Sequence, residues 1–201
     1  MRITFLRHGR SRADDENVIE GRYDSPLTEV GLEQARKLAA YWAANPPGFD
    51  RVEASTLVRA SRTAEVVCEP LGLTPIPTPN WMELDNTPIA GMTREEAHAK
   101  YPMPDFRHRF QNRTVDGGES KEAARRRASL ALENLFQSGA ENALVVSHGG
   151  ILNAALHVLM GCSADCVFPF GDTGFATIEL PRDRASVIVL GLRQQPHLRE
   201  V

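Results

Sequence analysis

The hydrophobic positions of this chain change period along its length, and the changes predict alternating strands and helices. Ile3 to Leu6 is a short apolar run that stops at Arg7-His8-Gly9, which reads as a buried strand. From Thr28 to Ala44 the apolar residues Leu32, Ala35, Leu38, Ala39 and Trp42 recur at helical spacing. Thr28 stands as N-cap, and Asn45-Pro46-Pro47-Gly48 closes the helix. Arg51 to Ala54 predicts a second strand and Leu57 to Glu69 a second helix. Pro70 and Pro75-Ile76-Pro77-Thr78-Pro79 predict an extended connection. Trp81 to about Val115 is irregular, with a short helix over Thr93 to Lys100 that Pro102 and Pro104 break. A long helix is expected over Lys121 to Gln137, after the turn Asp116-Gly117-Gly118.

Ala143 to Ser147 is a continuous apolar run, as in a strand covered on both faces, and it ends at His148-Gly149-Gly150. Ile151, Leu152, Ala155, Leu156 and Leu159 trace the next helix. Phe175 to Leu180 and Ser186 to Leu190 predict two final strands joined by a turn at Pro181 to Arg184. Together these predict a three-layer α/β/α sandwich, with a mainly parallel sheet and helices on both faces. Residues 1–201 read as one domain, with a lid segment over about 81–118. Ligands of such sheets bind beyond the carboxyl ends of the strands. Both His-Gly pairs fall at such ends.

Composition narrows the function classes. Of 201 residues, 42% are hydrophobic and 24% charged, with a net charge of −3, so no global basic field favours nucleic acid. No apolar run approaches the roughly 20 residues of a membrane span. The start runs into a strand without the apolar stretch of a signal peptide, which predicts a cytoplasmic protein. The three cysteines, Cys68, Cys162 and Cys166, describe no disulfide framework, and no second Cys/His pair at matching spacing joins Cys162 and Cys166 as metal ligands. Arg125-Arg126-Arg127 point three ways from a helix and read as a solvated face. Trp42 is expected in the core and Trp81 on the cleft wall. Arg107-His108-Arg109 and Arg113 lie in the lid segment, where they serve either as an anion grip or as a plain basic stretch.

The chemistry concentrates at the two strand ends. A histidine there projects toward a ligand, and the glycine after it lets backbone N–H groups approach an anion. Arg7 and Arg59 add planar forks suited to phosphate oxygens. A neutral imidazole can attack phosphorus, and nearby arginines favour the neutral form. Glu83, in the irregular segment, is the preferred proton donor for the leaving oxygen, with Asp85 and Glu119 as rivals.

In order, Leu6-Arg7-His8-Gly9, Gly21 with Asp24-Ser25-Pro26-Leu27-Thr28, Gly31 with Gln34-Ala35, and Ser55 to Ala60 with Thr63-Ala64-Glu65 form a specific set. Glu83, Gly117-Gly118-Glu119-Ser120 and Val146 to Gly150 complete it. The set resembles the histidine phosphatase superfamily, the phosphoglycerate mutase-like family. The resemblance implies that His8 is the phosphorylated nucleophile and that Arg7, Arg59 and His148 form the phosphate pocket with backbone help from Gly149. It implies Glu83 as acid and base, Ser11 and Gly21 at the pocket's edge, and no metal or other cofactor. Four positions depart from the pattern. Arg10 replaces an acidic residue, Asp14 an asparagine, Val18 an arginine and Glu20 a small polar residue. These changes are expected on the pocket rim, where they bear on substrate preference, with Asp14 needing Arg10 or Arg12 as a partner.

A small phosphorylated metabolite is the expected partner, neither nucleic acid nor membrane, and a homodimer is left open. The short stretch between Glu83 and His148 favours a phosphomonoester hydrolase, since the mutases resemble one another in a longer insertion there. The alternatives are a cofactor-dependent phosphoglycerate mutase and a non-catalytic phospho-ligand-binding module.

Overall fold

The computed structural model describes residues 1–101, 115–162, 166–181, 183 and 185–199. Six strands form one sheet in the order β3-β2-β4-β1-β5-β6. They are β1 (Arg2–Arg7), β2 (Arg51–Ala54), β3 (Ile76–Pro77), β4 (Asn142–Ser147), β5 (Phe175–Glu179) and β6 (Ile188–Gln194). The first four run parallel, whereas β5 and β6 turn the last edge antiparallel. The helices are α1 (Arg12–Glu16), α2 (Glu29–Ala44), α3 (Val58–Cys68), α4 (Arg94–Lys100), α5 (Lys121–Gln137) and α6 (Gly149–Met160).

The central strands explain the layering. On β4, Ala143 and Val145 face one side while Leu144 and Val146 face the other, and all four are wholly buried. One side packs against α5 and α6 through Ala124, Ala128, Ala131, Leu132 and Leu135 of α5 and Ile151, Leu152, Ala155 and Leu156 of α6. The other packs against α2 and α3 through Ala35, Leu38, Trp42, Ala64 and Val67. A strand covered twice reads as a continuous apolar run, which is the pattern of β4. Capping fixes where the helices begin. Thr28 accepts from the Gly31 N–H, Ser120 from the Ala123 N–H and Thr93 from the Glu96 N–H, each cap contributing about 1 kcal/mol.

Several expectations shift. The Pro-rich connection contains a two-residue edge strand, because Ile76 and Pro77 pair with β2. The last strand starts at Ile188 rather than Ser186 and runs to Gln194, with a bulge against β5. The short helix α1 gave no periodic signal, since five residues expose most of one turn and bury only Ala13. Trp81 is not a cleft wall. Its ring is fully buried edge-on to Phe5, and its indole N–H donates to Glu53 at 2.7 Å. Arg107, His108, Arg109 and Arg113, with Pro102 and Pro104, lie outside the described residues, as do residues 182 and 184 of the final turn. The expected lid is therefore described only at 81–101 and 115–118. Among the described residues no helix is long and apolar enough to cross a membrane, and no cluster of three or more His, Cys, Asp or Glu is arranged to hold a metal ion.

Candidate active site

The sheet order creates the site. β1 and β4 are parallel neighbours with Arg7 opposite Ser147, so His8 and His148 leave the sheet side by side. The chain after β1 goes to α2 on one face, and the chain after β4 goes to α6 on the other. That divergence opens a crevice at the carboxyl ends of the two strands. The imidazole centroids are 5.0 Å apart, and both rings are buried.

His8 is held on three sides. Its N–H donates to Ser147 O at 3.0 Å, and its carbonyl accepts from Thr173 N–H at 3.1 Å. Its Nδ1 lies 2.7 Å from Gly9 O, a carbonyl that can only accept, so the ring hydrogen is on Nδ1 and Nε2 carries the lone pair. Arg59 Nε–H donates to that nitrogen at 3.2 Å. Burial, then Arg7 and Arg59, hold the His8 pKa well below 6.5, with the Gly9 carbonyl opposing.

Arg59 is fully buried, and its fork is fixed by backbone. Nη2 donates to Gly21 O at 2.7 Å and Nη1 to Tyr23 O at 3.0 Å. Gly21 has φ +49°, and a Cβ there would overlap the Asn86 side chain, so the turn that offers its carbonyl to Arg59 requires glycine. Burial lowers the Arg59 pKa, with Glu20 and Glu83 the chief carboxylates opposing. Arg7 is held by Asp172 at 2.7 Å, and the carboxylate of Asp172 also meets the Gln34 side chain.

His148 caps α6 and has a different set of partners. Its Nε2 is 2.7 Å from Ser55 Oγ, while its Nδ1 is buried without a partner among the described residues. Ser55 Oγ already accepts from the Leu57 N–H, so its own hydrogen is free to be donated to Nε2. In the tautomer in which Ser55 donates, the His148 hydrogen is on Nδ1, where it can meet an incoming oxygen. Burial, then Arg59 and His8, hold this pKa also well below 6.5.

Glu83 sits at the start of α6, where its carboxylate accepts from the N–H groups of Gly150 at 2.9 Å and Ile151 at 3.0 Å. Gly149 contributes to the same helix start, a favourable place for negative charge. A Cβ at Gly150 would collide with the Glu83 carboxylate, so glycine admits the acid here. The rivals are otherwise engaged. Asp85 pairs with Arg22 at 3.2 Å, and Glu119 takes two bonds from Arg127 at 2.7 and 2.9 Å.

The structure thus gathers His8, Arg7, Arg59, His148 and Glu83 about one crevice, with Ser11 and Gly21 beside it. Asp14 takes neither expected partner. Arg10 pairs with Asp15 and Arg12 with Glu16, because their side chains point out to solvent. Asp14 instead accepts from Ser11 N–H at 3.0 Å and lies 3.9 Å from Arg7. Glu20 is not on the rim but inside, in contact with Ser11, Arg59 and His8. Sequence reasoning also missed Ser55, Asp172 and Arg127. Arg127 is not solvated like Arg126. It turns inward and donates to the carbonyls of Asn80, Met82 and Glu83, fixing the segment that carries Glu83. Its separation of one helical turn from Ala124 and Ala131 was the available signal.

The chain belongs to the histidine phosphatase superfamily, whose branch 1 family model matches residues 3–192. It is an enzyme of the histidine phosphatase and phosphoglycerate mutase-like type. Among its relatives, the probable phosphoglycerate mutase GpmB of Yersinia pestis (strain Pestoides F) is 31% identical over 170 residues, covering 82% of this chain and 77% of that protein. The fold matches the α-ribazole phosphatase of Shigella flexneri with a TM-score of 0.85 at 24% identity, covering 97% of each chain. It also matches a mycobacterial glucosyl-3-phosphoglycerate phosphatase solved with VO3, with a TM-score of 0.81 at 23% identity, covering 94% and 95% of the chains.

Proposed function

We propose that the chain is a phosphomonoester hydrolase that works through a phosphohistidine at His8 and needs no metal. The observation that carries this reading is the tautomer of His8. The Gly9 carbonyl holds the Nδ1 hydrogen, which leaves the Nε2 lone pair facing the Arg59 guanidinium in a buried crevice. In the first step Nε2 attacks phosphorus, the N–P bond forms and the ester P–O bond breaks. The electron pair goes to the leaving oxygen, which takes a proton from Glu83. In the second step Glu83 removes a proton from water, the water oxygen bonds to phosphorus, and the N–P bond breaks to restore neutral His8.

Arg7, Arg59 and the Nδ1–H of His148 stabilise the three equatorial oxygens in both steps. A groove of about 330 Å³, which Leu84, Lys121, Asn153 and Val167 help to line, lies beside Gly149 and Gly150 at the helix start that holds Glu83, and on this reading it takes the leaving group. Its size suits a small phosphorylated metabolite.

The test is release of inorganic phosphate from p-nitrophenyl phosphate with chelator present, with vanadate as inhibitor. Wild type should turn over and His8→Ala should not. No turnover of any phosphate ester by the folded wild type overturns the reading. One observation favours mutase chemistry as a second reading, the resemblance to a probable phosphoglycerate mutase at 31% identity. Interconversion of 3- and 2-phosphoglycerate, with the bisphosphate added, separates the two.

A further inference from the structure

Glu20 fills the place that a phosphoryl group needs. One carboxylate oxygen lies 3.1 Å from Arg59 Nε as an ion pair and accepts the hydroxyl of Ser11, and the other stands 3.6 Å from His8 Nε2. A carboxylate and a phosphoryl face present similar oxygens to an arginine, so one seat cannot hold both. The side chain is only 18% exposed. Among the described residues, the charged and titratable groups around it are His8 and Arg7 at the end of β1, Asp14 on α1 and Arg59 on α3. Arg94, His98 and Tyr101 face it across a cavity of about 220 Å³ that Glu20 itself helps to line.

Resting on the phosphatase reading, we propose that Glu20 is an internal competitor for the phosphoryl seat, which it occupies in the empty enzyme and yields to substrate by swinging into the cavity beneath α4. Bare phosphate must then displace a bound carboxylate, so it binds weakly, and the product leaves readily. An ester whose alcohol portion adds its own contacts overcomes the same competition. The specificity of the site therefore lies in the leaving group, because the phosphate alone gains little. Glu20 cannot double as the leaving-group acid. It lies against the attacking nitrogen, whereas the leaving oxygen departs on the opposite side of phosphorus.

Burial raises the Glu20 pKa from its ordinary value, with Arg59 and Ser11 opposing and Asp14 adding to the rise. As pH falls through that raised value Glu20 takes up a proton, loses its charged hold on Arg59, and competes less.

The experiment is calorimetric titration of inorganic phosphate into the full chain as wild type, Glu20→Gln and Glu20→Ala, at about pH 5.5 and about pH 7.5. Glutamine keeps the size and removes the charge. Comparison of the variants at each pH cancels the ionisation of phosphate itself. At the higher pH both variants should bind about tenfold or more tightly than wild type, and the ratio should narrow at the lower pH. Circular dichroism and melting temperatures, expected to match wild type, certify folding. Binding by the variants that equals or falls below that of wild type overturns the competitor while turnover of p-nitrophenyl phosphate still supports the phosphatase reading. Binding by none of the three chains, with no turnover, overturns both.

Discussion

The ends of β1 and β4 look alike in sequence and act differently in space. Each is a buried strand that ends in His-Gly, and the two histidines are neighbours across a parallel pair. At β1 the ring hydrogen goes to the next carbonyl in the chain, so the free lone pair faces the arginines. At β4 the ring meets a distant hydroxyl, Ser55, and the nitrogen left over is a buried donor. On the proposed reading one motif therefore supplies a nucleophile and an electrophile, and the partner of the second nitrogen decides which. The same contrast extends to the glycines. Gly9 is wedged against the Gly31 backbone and its N–H is fixed by Thr63, whereas Gly149 opens a helix whose amides hold Glu83.

The largest effects should separate the two histidines. His8→Ala should lower kcat by about 10⁴-fold or more and abolish the acid-labile phosphoenzyme in rapid-quench labelling. His148→Ala should lower kcat by about 10²- to 10³-fold and still form that intermediate, as expected for loss of one oxyanion donor. Equal labelling in both variants would break the comparison. Glu83→Gln should slow turnover about 10²-fold. With p-nitrophenyl phosphate, whose leaving group needs no proton, it should accumulate phosphoenzyme because water is no longer activated.

The orienting hydroxyls offer a finer division. Ser55→Ala should reduce kcat about tenfold through His148, and Thr63→Val should do so by a similar factor through Gly9 and His8. Only the Thr63 variant should slow the labelling step more than the hydrolytic one. The smallest effect is the pH dependence of stability. Both imidazoles have folded pKa values below 6.5, so the unfolded chain binds the protons that the folded one refuses. Stability should hold above pH 6.5 and fall below it, by about 1.4 kcal/mol per pH unit for each imidazole. Denaturant titrations of His148→Asn should show a shallower acid slope than wild type.

Most of the scaffold was legible because its elements are long, periodic and capped. The helix of Lys121 to Gln137, the strand of Arg51 to Ala54 and the Thr28 cap stand where the periodicity puts them. Elements too short to complete a period were not legible. The five residues of α1 and the two of β3 are set by the loops that hold them, through long-range contacts such as Arg12 N–H to Pro26 O. At the site, the residues named from the chain order do converge on one crevice. What was missed depends on side-chain direction. Glu20 belongs to a loop and Asp14 to a single helical turn, where no periodicity says which way a carboxylate points, and Arg127 was averaged into a run of three. Asp172 and Ser55 each meet a site residue far away in the chain, and pattern reading sees only near neighbours.

Gly150 makes the acid removable without altering its chemistry. Because a single methyl group there would fall on the Glu83 carboxylate, Gly150→Ala is a steric switch that evicts the acid from its perch and leaves every ionisable side chain in the molecule intact. Given p-nitrophenyl phosphate, whose leaving group needs no proton, a protein so altered should still capture phosphate on His8 and then stall. The stalled form would be a trap for the covalent intermediate.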